Sequence, residues 1–477
     1  MTAIRRRGAA RRAVTVLLCG VLAAAAVASG AGTAAAGEAA PRAPEDGGAN
    51  ATLAGLKAHD RAVITHDGVT TETAAGLFEM SVTGGGSLLT YGIDMYSSTA
   101  HGAQYAEAPW AATPLHGNPE AGRIRWIVAH SYPQVDDLAE LAERSGAREL
   151  TPGTAAAGTQ VAIWRYAGAG ADGRRPDVTA ADPDAQKLAD YLEREARTLP
   201  EPSASLTLES PAVAGRPGEA LGPVTVRTGA QHVSVAPGPE AARHGVRVVD
   251  LRGAEVTEAR DGDRLWFDVP RDAADAQAGL TVQATAQLPV GRALAGSGPH
   301  GASQAQVVAG SSDTTVTARA SASWTAQGAA PAVSARPDCA AGTVAVTVAN
   351  RGDAPFEFSL GDEEHAIPGE TTETVTVPVG EDQAYRIAVT GPDGHGPTFA
   401  GVLNCATLGT ESAEEGLSVH SEPVTVGGDS SGPEGSEGTV NLAETGGGSS
   451  LPLLTAAAVG LLVLGGGAVL MLRRTTP

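Results

Sequence analysis

Few side chains bound the covalent chemistry open to this chain. Its 477 residues hold three Cys and eleven His, and Lys57 and Lys187 are the only lysines. A nucleotide-binding phosphate loop places Lys directly after Gly, and neither lysine follows a glycine, so that class is excluded. The histidines show no metal-ligand spacing and no Asp/Asn-rich loop has calcium-binding spacing, so neither a metal nor a cofactor is expected. Gly428-Asp429-Ser430-Ser431-Gly432 spells a nucleophile elbow but lies in a polar stretch with no sheet to strain the turn. Gly168 to Gly173 spells GxGxxG, yet it follows a helical pattern rather than a strand and reads as a loop. Arg351-Gly352-Asp353 matches the integrin-binding tripeptide but falls where a turn between strands calls for Gly beside polar residues. Hydrolysis by paired carboxylates stays open, because acids are abundant and their pairing in space is not visible. No constellation supports turnover, so the chain is not expected to be an enzyme.

The charge narrows the partners. Lys and Arg number 33 against 54 Asp and Glu, a formal net charge of −21. Nucleic acid is therefore not an expected partner, since phosphate binding needs clustered cations. Arg5, Arg6, Arg7, Arg11 and Arg12 precede an apolar run, and small residues follow to Ala34-Ala35-Ala36. This is the plan of a signal peptide over 1–36, cleaved on export, with a flexible segment over 37–59. At the other end Leu451 to Leu472 is apolar, about 33 Å long as a helix, and is closed by Arg473 and Arg474. A transmembrane helix over 451–472 with its tail in the cytoplasm is expected.

Short alternating runs and periodic stretches give the organisation between these ends. Residues 60–200 hold most of the aromatics and read as an α+β domain. Strand-like residues 76–95 are broken by Gly84-Gly85-Gly86, and helices are then opened by Asn118-Pro119-Glu120, Thr151-Pro152 and Asp182-Pro183. Residues 201–326 alternate as an all-β sandwich module, 327–337 is an Ala/Pro-rich linker, and 338–410 is a second all-β, Ig-like module. Cys339 and Cys405 bracket that last module. In an exported chain they read as one disulfide, worth about 4 kcal/mol in the chain-entropy model. Residues 411–441 are a Gly/Ser/Glu stalk.

Two resemblances follow from particular residues. Leu442-Ala443-Glu444-Thr445-Gly446, then the apolar span and the Arg tail, resembles the LAxTG (LPXTG-like) cell-wall sorting signal read by sortases. It implies cleavage after Thr445, transfer of the Thr445 carbonyl to a peptidoglycan precursor, a transient sortase partner, and display on the outer face of the wall. An ordinary single-span anchor is the alternative. Within the first domain, Tyr91-Gly92-Ile93-Asp94 and Thr159-Gln160-Val161-Ala162-Ile163-Trp164 resemble the TQxA thioester domains of Gram-positive surface proteins. Pro109-Trp110, Ile124-Arg125-Trp126-Ile127 and His130-Ser131-Tyr132-Pro133 add to the likeness. The resemblance implies a cysteine joined to the Gln160 side chain in a thioester that captures surface amines. Gly92 stands where that cysteine is expected, and glycine supplies no nucleophile. The pair is thus expected to be degenerate, leaving an adhesin-like surface protein that binds a ligand without a covalent bond. Gln160, Tyr91, Trp126 and Trp164 would then line a groove, or the aromatics simply pack a core. The alternative function is an acidic surface coat or spacer with no ligand.

Overall fold

A computed structural model describes residues 47–405, apart from 67, 98, 169–174 and 298–302. The signal peptide, the stalk, the sorting motif Leu442 to Gly446 and the apolar span 451–472 lie outside the described residues. No helix among the described residues is long and apolar enough to cross a membrane.

The first module is built on a ring of strands. Strand β1 (Asn50–His66) and β2 (Val69–Val82) form a long antiparallel hairpin, and β3 (Ser87–Gly92) and β4 (Gln104–Ala108) follow. The turn into β3 is the glycine run 84–86, all three at positive φ. Gly86 also lies so close to Asp313 that a Cβ would stand 2.5 Å from its carbonyl oxygen. Two strands from far along the chain, Ala293–Gly296 and Gln306–Ser311, fill the gap between β4 and β3. With β1 paired to both β2 and β4, six strands close on one another, all antiparallel. A seventh, β5 (Asp177–Ala180), pairs along the outer part of β1.

Alternate residues along these strands serve two cores, as the two-residue period requires. Phe78, Met80, Leu88, Tyr105, Leu294 and Val308 belong to one, continuous with the core of the following β-module. Leu77, Tyr91, Ile93, Val307 and Ala309 belong to the other, with the helices. A six-stranded ring has no room for helices inside it, so the Tyr91 face is the outer one.

Four helices pack on that outer face: α1 (Ala121–Ala129), α2 (Leu138–Ser145), α3 (Pro152–Ala167) and α4 (Pro183–Glu195). Their starts follow the local chemistry. Thr151 and Thr154 form a reciprocal cap at α3 with Pro152 in its first turn, and Asp182 accepts from the Asp184 and Ala185 N–H groups at α4. Helix α3 is buried from Ala155 to Ala167, which its small residues permit because strands and helices can approach on every side.

The chain then builds two packed sheets. One contains Leu206–Glu209, Ala220–Thr228, Arg264–Asp268 and Arg247–Val249; the other contains Val233–Pro237, Ala276–Ala286 and Thr314–Trp324 among its five strands. Between Ala286 and Thr314 the chain leaves this module to supply the two ring strands. Residues 201–326 are therefore shared between two cores, where alternation alone suggested one self-contained sandwich. Alternation reports which face is buried and carries no information on the partner. The last module has sheets of three and four strands around Val346, Phe358 and Val389. Its first strand, Pro331–Asp338, uses residues expected as linker. Cys339 and Cys405 are joined in a disulfide.

A buried ion pair ties the ring to the module after it. Arg292 Nε donates to Glu107 Oε1 at 3.0 Å, and Arg292 Nη1 reaches Glu201 at 2.8 Å, with the Arg292 and Glu107 side chains 6% and 1% exposed. Glu107 also accepts from the Ser205 N–H at 2.9 Å and from its hydroxyl. Breaking such a pair strands a buried charge. Arg292→Ala is expected to cost about 3–5 kcal/mol in denaturant unfolding, whereas Arg227→Ala, at an exposed pair with Glu209, costs much less.

The last module meets the first near Asp94. Burial raises the Asp382 carboxyl above its usual range, opposed by a hydrogen bond from Asn404 and reinforced by the charges of Glu381 and Asp94. A raised folded-state value means that the group's contribution is full below the unfolded carboxylate range and is lost as pH rises through the folded value. Asp382→Asn should therefore unfold at a higher temperature than the parent at about pH 8, the difference vanishing below about pH 4.

Candidate functional site

Strand β3 ends at Gly92, and its two edges are treated differently. Toward Gln306–Ser311 the ladder continues, with Ile93 N–H donating to Ala305 O at 2.9 Å. Toward β2 pairing stops at Leu77 and Tyr91, one residue earlier. The Gln160 side chain on α3 takes the place of the missing strand. Gly92 N–H donates to Gln160 Oε1 at 3.0 Å, and Gln160 Nε2 donates to Gly92 O at 2.7 Å, across 68 residues of sequence. One amide thus satisfies both backbone groups of Gly92, and Gln160 is fully buried.

The neighbouring motif residues hold this contact in place. Thr159 donates back to Ala155 O at 2.8 Å, and Ala162 and Ile93 are packed in the helix-side core. Tyr91 is fully buried and its hydroxyl donates to Tyr132 O at 2.7 Å; burial pushes the phenol well above its usual range. Asp94 accepts from Tyr96 N–H at 2.9 Å and from the Ser97 hydroxyl at 2.6 Å, fixing the turn after β3. Trp164 is 4% exposed, and its indole N–H has no hydrogen-bond partner among the described residues.

Behind Gly92, on the inner face of the ring, lies a polar cluster that the sequence did not announce. Thr90 donates to Gln306 Oε1 at 3.1 Å, both fully buried. The Tyr105 hydroxyl lies 2.6 Å from Ser303 Oγ and donates to Gln304 O at 3.1 Å. Burial pushes Tyr105 up to about 12. The Gln304 side chain comes so close to Gly92 that a Cβ built there would lie 2.0 Å from Gln304 Oε1. Ser303, Gln304 and Gln306 come from the second late ring strand and the residues before it, far in sequence from both motifs.

Residues 89–198 match the thioester-domain family model. The match takes in Gly92, Gln160 and all four helices. Among solved structures, the Bacillus anthracis TIE protein is 13% identical, with 75% of this chain and 81% of that one covered at a TM-score of 0.26. The thioester domain of the Enterococcus faecium TIE86 protein is 16% identical, covering 58% of this chain and 96% of its own at 0.27. The Escherichia coli chaperone DraB is 15% identical, covering 42% and 97% at 0.16. No curated protein matches the sequence.

Among the described residues the Gln160 amide meets the Gly92 backbone and no thiol. Both described cysteines are in the disulfide, so neither supplies a thiol to Gln160. Tyr91 and Gln160 are fully buried and Trp164 nearly so, which makes them core rather than the walls of a groove. Trp126 differs: it is half-buried and stacks on the exposed His130 ring at 4.1 Å. The tripeptide at Arg351 is not free to be read either. Asp353 accepts from Gly328 N–H at 2.8 Å and pairs with Arg216 at 3.1 Å, contacts that hold its carboxyl below the usual range. Among the described residues no His, Cys, Asp or Glu group is arranged to hold a metal ion.

Removing the Gln160 amide leaves two buried backbone groups without partners, each costing about 1–3 kcal/mol. Gln160→Ala is expected to destabilise the chain by at least about 2 kcal/mol in denaturant unfolding, with amide exchange at Gly92 accelerated.

Proposed function

We propose that this is a sortase-anchored surface protein, exported and held to the wall through Thr445, which displays a thioester domain that forms no thioester. The observation that supports it most is the Gly92–Gln160 contact. The amide that would be the acyl donor faces backbone instead of a thiol, and an amide without an activated nucleophile does not transfer its acyl group. The family match over 89–198 supports a surface, adhesin-like role, and any adhesion by this chain is non-covalent and lies away from the buried pair. The half-buried Trp126 beside exposed His130 is one aromatic surface within the matched residues. The reading as an acidic coat or spacer gains from one observation, the burial of Gln160, Tyr91 and Trp164, which leaves those residues nothing to present.

Two readouts on cells and extracted protein test the proposal. The parent chain should resist detergent extraction from walls, Thr445→Ala should be released, and the intact mass of the parent should not change with methylamine. Equal retention of Thr445→Ala overturns the anchoring. A methylamine adduct at Gln160 overturns the absence of the thioester.

A further inference from the structure

Glycine is needed at a position for one of two reasons: the backbone adopts a conformation closed to other residues, or a neighbour occupies the space of the side chain. Gly92 is not among the glycines at positive φ, so its backbone would accept any L-residue. The second reason holds. The three atoms nearest a Cβ at position 92 are Gln304 Oε1, Cδ and Nε2, at 2.0, 2.7 and 3.1 Å. All three belong to one side-chain end.

We infer that Gln304 is the occupant of the side-chain space of residue 92, so that the two positions form one coupled unit. Gln304 is seated rather than passing through. Its carbonyl oxygen accepts from Tyr105 and from Gln306 Nε2, and the next residue pairs with Ile93. Gln304 is 5% exposed, and its Oε1 has no hydrogen-bond partner among the described residues. Its end fills the volume that Gly92 leaves. Any side chain restored at 92 meets Gln304 first. The closure of the site is therefore a property of two residues more than two hundred positions apart.

The test is a double-mutant cycle on the full chain, read as the thermal unfolding midpoint. Gly92→Ala lowers the midpoint in the parent and does not lower it in a Gln304→Ala background. If Gly92→Ala fails to fold, rescue in the double variant supports the coupling equally. An equal drop in both backgrounds, or a double variant no better than Gly92→Ala, overturns it.

A second readout rests on the thioester-type reading of the pair. In Gly92→Cys, Sγ attacks Gln160 Cδ, the S–C bond forms as the C–N bond breaks, and the amide nitrogen leaves as ammonia carrying the thiol proton. Gly92→Cys alone should keep its full mass, and Gly92→Cys/Gln304→Ala should be lighter by one ammonia. Complete loss of ammonia from Gly92→Cys alone overturns the occupancy. Stability coupling with no ammonia lost from either variant leaves the occupancy standing and removes the thioester-type reading of Gly92 and Gln160.

Discussion

Closure of the six-stranded ring is the constraint on which the rest of the structure depends. Four strands between Asn50 and Ala108 leave an open edge at β3 and another at β4, and unpaired edges expose rows of backbone donors and acceptors. Residues 293–296 and 306–311 satisfy both edges at once. Because those strands arrive from within the next module, the two modules fold around a shared set of hydrogen bonds. The buried Arg292–Glu107 pair and the inner core that runs from Met80 to Val282 are what that sharing brings with it.

At the site the same closure sets the chemistry. The late strand pairs with one edge of β3, so the other edge at Gly92 is left to a single amide from α3. An amide can imitate a strand because it presents an N–H and a carbonyl oxygen side by side. Held that way, Gln160 stabilises the end of β3 and is turned away from solvent. A residue type that could serve as an acyl donor here serves as a backbone partner.

Local chemistry was largely legible in the sequence. Thr151-Pro152 and Asp182-Pro183 start helices where capping rules place them, and Gly84 to Gly86 turns the chain between strands. The facing of Gly92 and Gln160 was legible only through the motif that contains them. Gln304 was not legible. A glutamine in a short polar stretch reads as solvent-facing, and its contact lies in a strand from the first quarter of the chain. The same holds for Arg292 and Glu107, whose burial depends on a partner that no local pattern names. The boundary at residue 200 followed a change in periodicity, whereas the sheets follow pairing, which periodicity does not record.

The disulfide also shapes how the chain bears mechanical load. Tension entering from beyond Cys405 passes through the bond to Cys339 and on into Pro331–Asp338, leaving residues 340–404 outside the line of force. That strand runs unbroken from Asp338 back to Pro331, so the load is carried by its covalent backbone and the ladder to Thr343–Asn350 is spared. Farther along, the late ring strands are enclosed between β3 and β4. A pull that unravels the second module must therefore also draw strands out of the ring, so extension of one unit is resisted by the other.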